Sequence, residues 1–172
     1  MQKPVINIED IDLQPWPVGS LLPAEAAEKY EARMGYIGPR IGAQRLGYNI
    51  TAVPPGKSAF PLHNHHVNEE MFFILQGSGE LRMGEHSYPV RTGDFIACPP
   101  GGKERAHKLI NTGKEELRYL AVSSKLSPEI VDYPDSGKFG VLEELPAGPD
   151  GKPGRFVFIG RERDSGDYWD GE

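Results

Sequence analysis

The chain has five histidines, His63, His65, His66, His86 and His107, and the first three fall within four residues. Residues two apart on a strand share a face. His63 and His65 therefore point the same way, and His66 points the other way. Glu69 and Glu70 follow directly. A short turn at Val67-Asn68 would return the chain antiparallel and bring a carboxylate back beside the two imidazoles. Two imidazoles and an acid converging from adjacent strands make a good site for a divalent metal. His66 and His86 lack such company and are expected to be surface or hydrogen-bonded residues.

Other chemistry-bearing residues have plainer readings. Cys98 precedes Pro99 at the end of an apolar run and is expected to be buried and structural. Pro99-Pro100-Gly101-Gly102 with Lys103 reads as turn punctuation rather than an anion cradle. Gly77-x-Gly79 opens no helix, so it is no dinucleotide fingerprint. Ser58 and Ser78 lie outside any Gly-x-Ser-x-Gly context, so a hydrolase triad is not supported.

Two segments together resemble the cupin superfamily. In the first, Gly56 precedes His63-Asn64-His65, Glu70 follows after four residues and Gly77 after six more. In the second, Gly93 is followed after five residues by Pro99-Pro100-Gly101, and Asn111 lies four positions after His107. The gap from Gly56 to His63 is one residue longer than the family pattern. The gap from Gly101 to His107 is three longer, so the segment GKERA must bulge for His107 to reach a barrel interior. The spacing to Gly77 selects Glu70 over Glu69. The resemblance implies a metal held by His63, His65, Glu70 and His107, in an all-β double-stranded β-helix (jelly-roll) barrel. His-Lys-Leu-Ile-Asn at 107–111, Tyr133-Pro134-Asp135 and the Asp167–Glu172 tail further resemble a group of small bacterial single-domain cupins.

Three imidazoles and one carboxylate leave a divalent ion with one net positive charge and open positions for a ligand. Fe, Mn, Ni and Zn all suit these donors. The resemblance implies a small metalloenzyme of dioxygenase, decarboxylase or sugar-phosphate-isomerase type acting on a small polar metabolite. The alternative is a non-catalytic cupin that binds or senses such a molecule. Arg45, Tyr48 and Arg82 are candidates to line the pocket.

The elements that must position these residues are mostly short strands. The chain carries 21 Gly and 16 Pro among β-branched and aromatic runs, which predicts many tight turns. Seven or eight strands are expected between residue 42 and Ser124, including a hairpin turning at Gly84-Glu85. No helices alternate with them, which excludes a doubly wound α/β fold. Along the strand at Glu70, Phe72 and Ile74 share the ligand's face, and Met71, Phe73 and Leu75 form an apolar outer row. The expected division is an N-terminal arm and helix at 1–40, a barrel at 41–125 and an extension at 126–172. Residues 23–34 read as one helix ended by Gly35, with Ala27, Tyr30 and Met34 on one stripe. The extension reads as turn-rich, with a late strand at FVFIG and a tail whose Tyr168 and Trp169 are expected to dock on the barrel or on a partner subunit.

Composition narrows the partners. The chain is acidic, with 19 Lys+Arg against 25 Asp+Glu, a net charge of −6 and a pI near 5.4. Phosphate-backbone binding needs a basic face, so nucleic acid and anionic membranes are not expected. A single cysteine and no signal-like or membrane-length apolar run point to a cytoplasmic protein. The row Met71, Phe73 and Leu75, together with Trp16, needs cover and predicts a homodimer.

Overall fold

The computed structural model describes residues 3–16, 22–148, 151 and 153–172. Among them thirteen strands account for most of the regular structure. In chain order these are β1 Gln14–Trp16, β2 Ala32–Tyr36, β3 Leu46–Val53, β4 Asn64–His65, β5 Glu70–Gln76, β6 Ser78–Met83 and β7 His86–Arg91. Then follow β8 Phe95–Cys98, β9 His107–Ile110, β10 Leu117–Ser124, β11 Glu129–Tyr133, β12 Lys138–Ala147 and β13 Pro153–Gly160. All pairings between them are antiparallel.

One sheet has the order β1-β2-β3-β10-β5-β8 and faces a second of order β7-β6-β9. A third, β13-β12-β11-β4, joins the second through a bridge between His63 and His107. The result is the expected all-β double-stranded β-helix barrel. Its interior is filled by one cluster that includes Val53, Phe72, Ile74, Leu81, Leu109 and Leu117. Phe72 and Ile74 are buried, as the alternation along β5 requires. In the outer row Phe73 packs against Phe95 at 4.5 Å between ring centroids. Leu75 shares a small depression with Ile8, Ile11 and Leu13, so the arm already covers part of that row.

Two turns fix the frame around the site. The β6–β7 hairpin turns at Gly84, whose φ of 56° is the left-handed value a tight two-residue turn favours. Gly77, after β5, has φ of 84°, and a Cβ there would stand 2.7 Å from the Glu116 carbonyl oxygen. Asn111 is fully buried and acts as a hub. Its Nδ2 donates to the carbonyls of Val53 and Glu115, each at 2.8 Å, and its Oδ1 accepts from the Gly113 N–H at 3.0 Å.

Three expectations need correction. The helix read over 23–34 is a single turn at Ala24–Ala27, and 32–36 is β2. Ala32 and Met34 are buried on the same face of that strand, a period of two rather than 3.6, because β1 and β3 flank it. Pro4, Pro15, Pro17 and Pro23 predict an irregular arm over 1–22, yet 14–16 forms an edge strand; residues 17–21 lie outside the described residues. The extension is largely sheet, with β11, β12 and β13 where mainly turns were read.

Candidate metal centre

The backbone brings the ligand candidates together before their side chains are considered. The His63 N–H donates to the His107 carbonyl at 3.2 Å and the His107 N–H to the His63 carbonyl at 2.7 Å, which fixes these residues side by side. His65 lies two residues on and pairs on its other side with Val131 of β11. Glu70 opens β5, opposite Cys98 of β8 and Ser123 of β10. The extra residues before His107 form a 3-10 turn at Lys103–Arg105, the bulge that the long gap requires.

One ligand atom from each of His63, His65, Glu70 and His107 lies within 4.8 Å of all the others. The Glu70 Oε2 stands 3.1 Å from His107 Nε2, 3.4 Å from His65 Nε2 and 3.9 Å from His63 Nε2. The three Nδ1 atoms face outward. That of His63 is 2.9 Å from the Pro61 carbonyl, and that of His107 is 3.2 Å from the Arg105 carbonyl. That of His65 is 3.4 Å from the Glu129 carboxylate. At His63 and His107 the carbonyl acceptor favours the ring proton on Nδ1 and an Nε2 lone pair turned inward; at His65 the nearby Glu129 charge acts the same way without a well-aimed hydrogen bond.

Three Nε2 atoms and a carboxylate oxygen therefore converge on one small space, with His107 Nε2 at hydrogen-bond distance from Glu70 Oε2. Four acceptors facing each other repel unless positive charge, a proton or a metal ion, stands among them. Both ring nitrogens of His65 are buried without a well-aimed hydrogen-bond partner among the described residues. The donor set is three imidazole nitrogens and one carboxylate oxygen, a set that suits first-row divalent metals. The residues present thus fit a metal ion.

The electrostatics agree. Burial lowers the His63 pKa to about 4, helped by nearby His107 and opposed by Glu70. That imidazole is neutral at physiological pH, the form that ligates. Burial also works against charge on His65, but Glu70 and Glu129 outweigh it and its pKa is raised. Burial alone would raise the Glu70 pKa; hydrogen bonds and charge from His107, His65 and His63 instead hold it well below the usual carboxylate range.

The remaining candidates lie apart. His66 points away from the cluster, as alternation predicts, and its Nε2 pairs with Asp132 at 2.8 Å. His86 is exposed on the β6–β7 hairpin. Glu69 is exposed, its N–H donating to Ser124 Oγ at 3.0 Å. Cys98 is buried beside Glu70, and burial followed by the Glu70 charge pushes its thiol far up. The Pro-Gly turn is structural, because Gly101 N–H donates to the His65 carbonyl at 2.9 Å and Gly102 N–H to Glu104 at 3.2 Å. Tyr168 and Trp169 do not dock on the barrel. They are 84% and 73% exposed and stack edge-on against each other.

A cavity of about 170 Å³ opens from His65 and Glu70 towards the extension. Ser123, Lys125, Ser127, Glu129, Glu143, Glu144 and Arg155 line it. Arg45, Tyr48 and Arg82 do not; Arg82 instead pairs with Asp135 at 2.9 Å. Tyr133 of β11 stacks over His63 at 6.4 Å. Sequence reasoning missed Glu129, Tyr133 and Arg155. The alternation Glu129, Val131, Tyr133 was the available signal, since these three form the more buried face of β11.

Comparison with known proteins places these observations. The cupin domain family model matches residues 49–123, which include all four cluster residues. An oxalate-binding protein of Thermotoga maritima is 34% identical over 70 residues, covering 41% of this chain and 54% of that protein. The chain spans about half the length of that relative. A candidate sugar phosphate isomerase of Acidithiobacillus ferrooxidans superposes with a TM-score of 0.62 at 26% identity, over 79% of this chain and 90% of the other. A sugar phosphate isomerase of Silicibacter pomeroyi shares the fold at a TM-score of 0.73 and 20% identity, over 97% of this chain and 98% of the other.

Proposed function

We propose that the chain, whose residues 49–123 match the cupin domain family, is a small metalloenzyme of the isomerase type acting on a small polar metabolite. The observation that carries this is the composition of one cavity. It is lined by His65 and Glu70 of the cluster, by the carboxylates of Glu143 and Glu144, and by the cations Lys125 and Arg155.

His63, His65, Glu70 and His107 would hold the ion. A divalent ion there supplies Lewis acidity towards a ligand oxygen and orients it. The chain's own groups do the rest. Lys125 and Arg155 offer positive charge to an anionic substituent. Glu143 or Glu144 can take and return a proton on the substrate face turned away from the cluster. Phe72 of the barrel flanks His107 and Tyr133 of the extension flanks His63, and the two rings shield these imidazoles from water.

A second reading, capture without turnover, draws on two observations. The cavity is smaller than the ~300–1,000 Å³ usual for sites that bind drug-sized ligands, and one relative is described as oxalate-binding. The two readings separate experimentally. Protein purified without added metal is analysed for transition metals, then reloaded and incubated in deuterated water with aldose and ketose phosphates. Deuterium at the carbon beside the carbonyl supports the isomerase. Oxalate binding without any exchange supports the capture reading. Absence of metal and of any metal-induced stabilisation overturns both.

A further inference from the structure

Glu129 belongs to the extension, yet its carboxylate is 5% exposed and aimed at the ligand loop. Its Oε1 accepts from the backbone N–H groups of His66 at 3.1 Å, Val67 at 3.0 Å and Ile130 at 2.9 Å. Its Oε2 accepts from the Asn68 N–H at 2.8 Å and from the Asn68 side-chain amide, and stands 3.4 Å from His65 Nδ1, an ion-pair approach without the aim of a hydrogen bond. A buried charge with this many donors is stable as the anion. Burial would raise its pKa, but the Asn68 donors lower it.

The arrangement is more than a cap on a turn. The loop from His66 to Asn68 makes up three of the four residues between ligands His65 and Glu70, and one carboxylate collects its three successive N–H groups. The same carboxylate faces the outer nitrogen of His65. The other two imidazoles use backbone carbonyls for this purpose. Only His65 depends on a side chain, and that side chain comes from outside the barrel.

We propose that Glu129 is a positioning residue for the metal centre: it holds His65 in the Nδ1–H tautomer and sets the spacing of His65 and Glu70. This rests on the metal reading above, but its first test does not. Nitrogen NMR of the imidazoles in the metal-free protein, at a pH high enough that His65 is neutral, reports the tautomer directly. Wild type is expected to show His65 protonated at Nδ1. E129A is expected to lose that preference, and E129Q to weaken it, while His63 and His107 keep theirs. The second test is Zn²⁺ affinity by chelator competition. Loss of an outer partner of a ligating histidine typically weakens binding about 10–100-fold, and E129Q should fall in that range.

E129Q is close in shape to the wild type, and its circular dichroism serves as the check on folding. A wild-type His65 tautomer together with wild-type Zn²⁺ affinity in E129Q and E129A overturns the proposal. A Zn²⁺ loss with unchanged tautomers in both variants also overturns it, because the effect would then be only the loosened turn. If wild type binds no Zn²⁺ the metal reading fails, while the tautomer measurement still decides whether Glu129 orients His65.

Discussion

His107 is the proposed ligand whose sequence spacing departs furthest from the cupin pattern, so its removal is the sharpest test of the site. In His107→Ala one of four donors is lost from a position only 3% exposed, where water cannot readily take its place. Removing a mere outer partner of a ligand costs about 10–100-fold in affinity, so a direct ligand should cost at least about 100-fold. At a metal concentration of about 100 times the wild-type Kd, binding stabilises the wild type by about 2.7 kcal/mol; at the same concentration the variant, with Kd raised 100-fold, gains only about 0.4 kcal/mol. At about 2–4 °C per kcal/mol for a chain of this size, the metal-induced rise in Tm should shrink from about 5–11 °C to about 1–2 °C. The metal-free variant should itself lose about 1–3 kcal/mol, because the Arg105 carbonyl and the rings of Phe72 and His63 lose their neighbour. Scanning calorimetry of wild type, His107→Ala and His86→Ala, each with and without Zn²⁺, reads all of these numbers. His86 is exposed on a hairpin and should behave as wild type. A full metal-induced shift surviving in His107→Ala would show that the metal binds elsewhere, and the four-residue centre would have to be given up.

Three further outcomes are expected. Cys98 should resist thiol reagents at neutral pH until the chain unfolds, because burial holds its thiol far above the usual range; stoichiometric labelling of the native protein within minutes would contradict this. The protein should be a homodimer, with light scattering giving twice the 19.0 kDa of one chain. The edge strand β13 offers a second apolar face beside the expected one: Phe156, Val157, Phe158 and Ile159 are 48%, 50%, 42% and 52% exposed, so Phe158→Glu should yield monomers and a wild-type monomer at micromolar concentration would refute the idea. Deleting residues 166–172 should leave Tm within about 1 °C of wild type, since exposed side chains contribute within about 0.5 kcal/mol; a drop of several degrees would show that the tail docks after all.

What could be read in advance follows from how local each signal is. Ligand spacing is local: strand alternation separates His66 from His63 and His65, and the interval to Gly77 separates Glu70 from Glu69. The hairpin turn at Gly84 is local too. The segment 23–34 misled because Ala, Glu and Lys favour helix, while burial of Ala32 and Met34 between two neighbouring strands favours extension, and burial is decided by residues distant in sequence. Alternation along β11 hinted at Glu129, but its role was hidden for a related reason. An acid in a turn-rich stretch looks solvated, and only the loop at His66–Asn68, some sixty residues earlier, supplies the donors that keep it buried.

That long-range dependence changes how the centre should be understood. The strand β4 is two residues long, too short to hold two ligands in place by itself. On one flank the exchange of N–H and carbonyl groups between His63 and His107 ties the ligand segment to the barrel. On the other, β11 pairs with Asn64 and His65 and delivers Glu129 beneath the loop and Tyr133 over His63. The same extension lends Glu143, Glu144 and Arg155 to the cavity wall. Barrel residues supply every proposed ligand, whereas the extension fixes how one of them is aimed and what chemistry the open side of the centre meets. Two chains with the same four ligands but different extensions should therefore bind the same metals and handle different molecules.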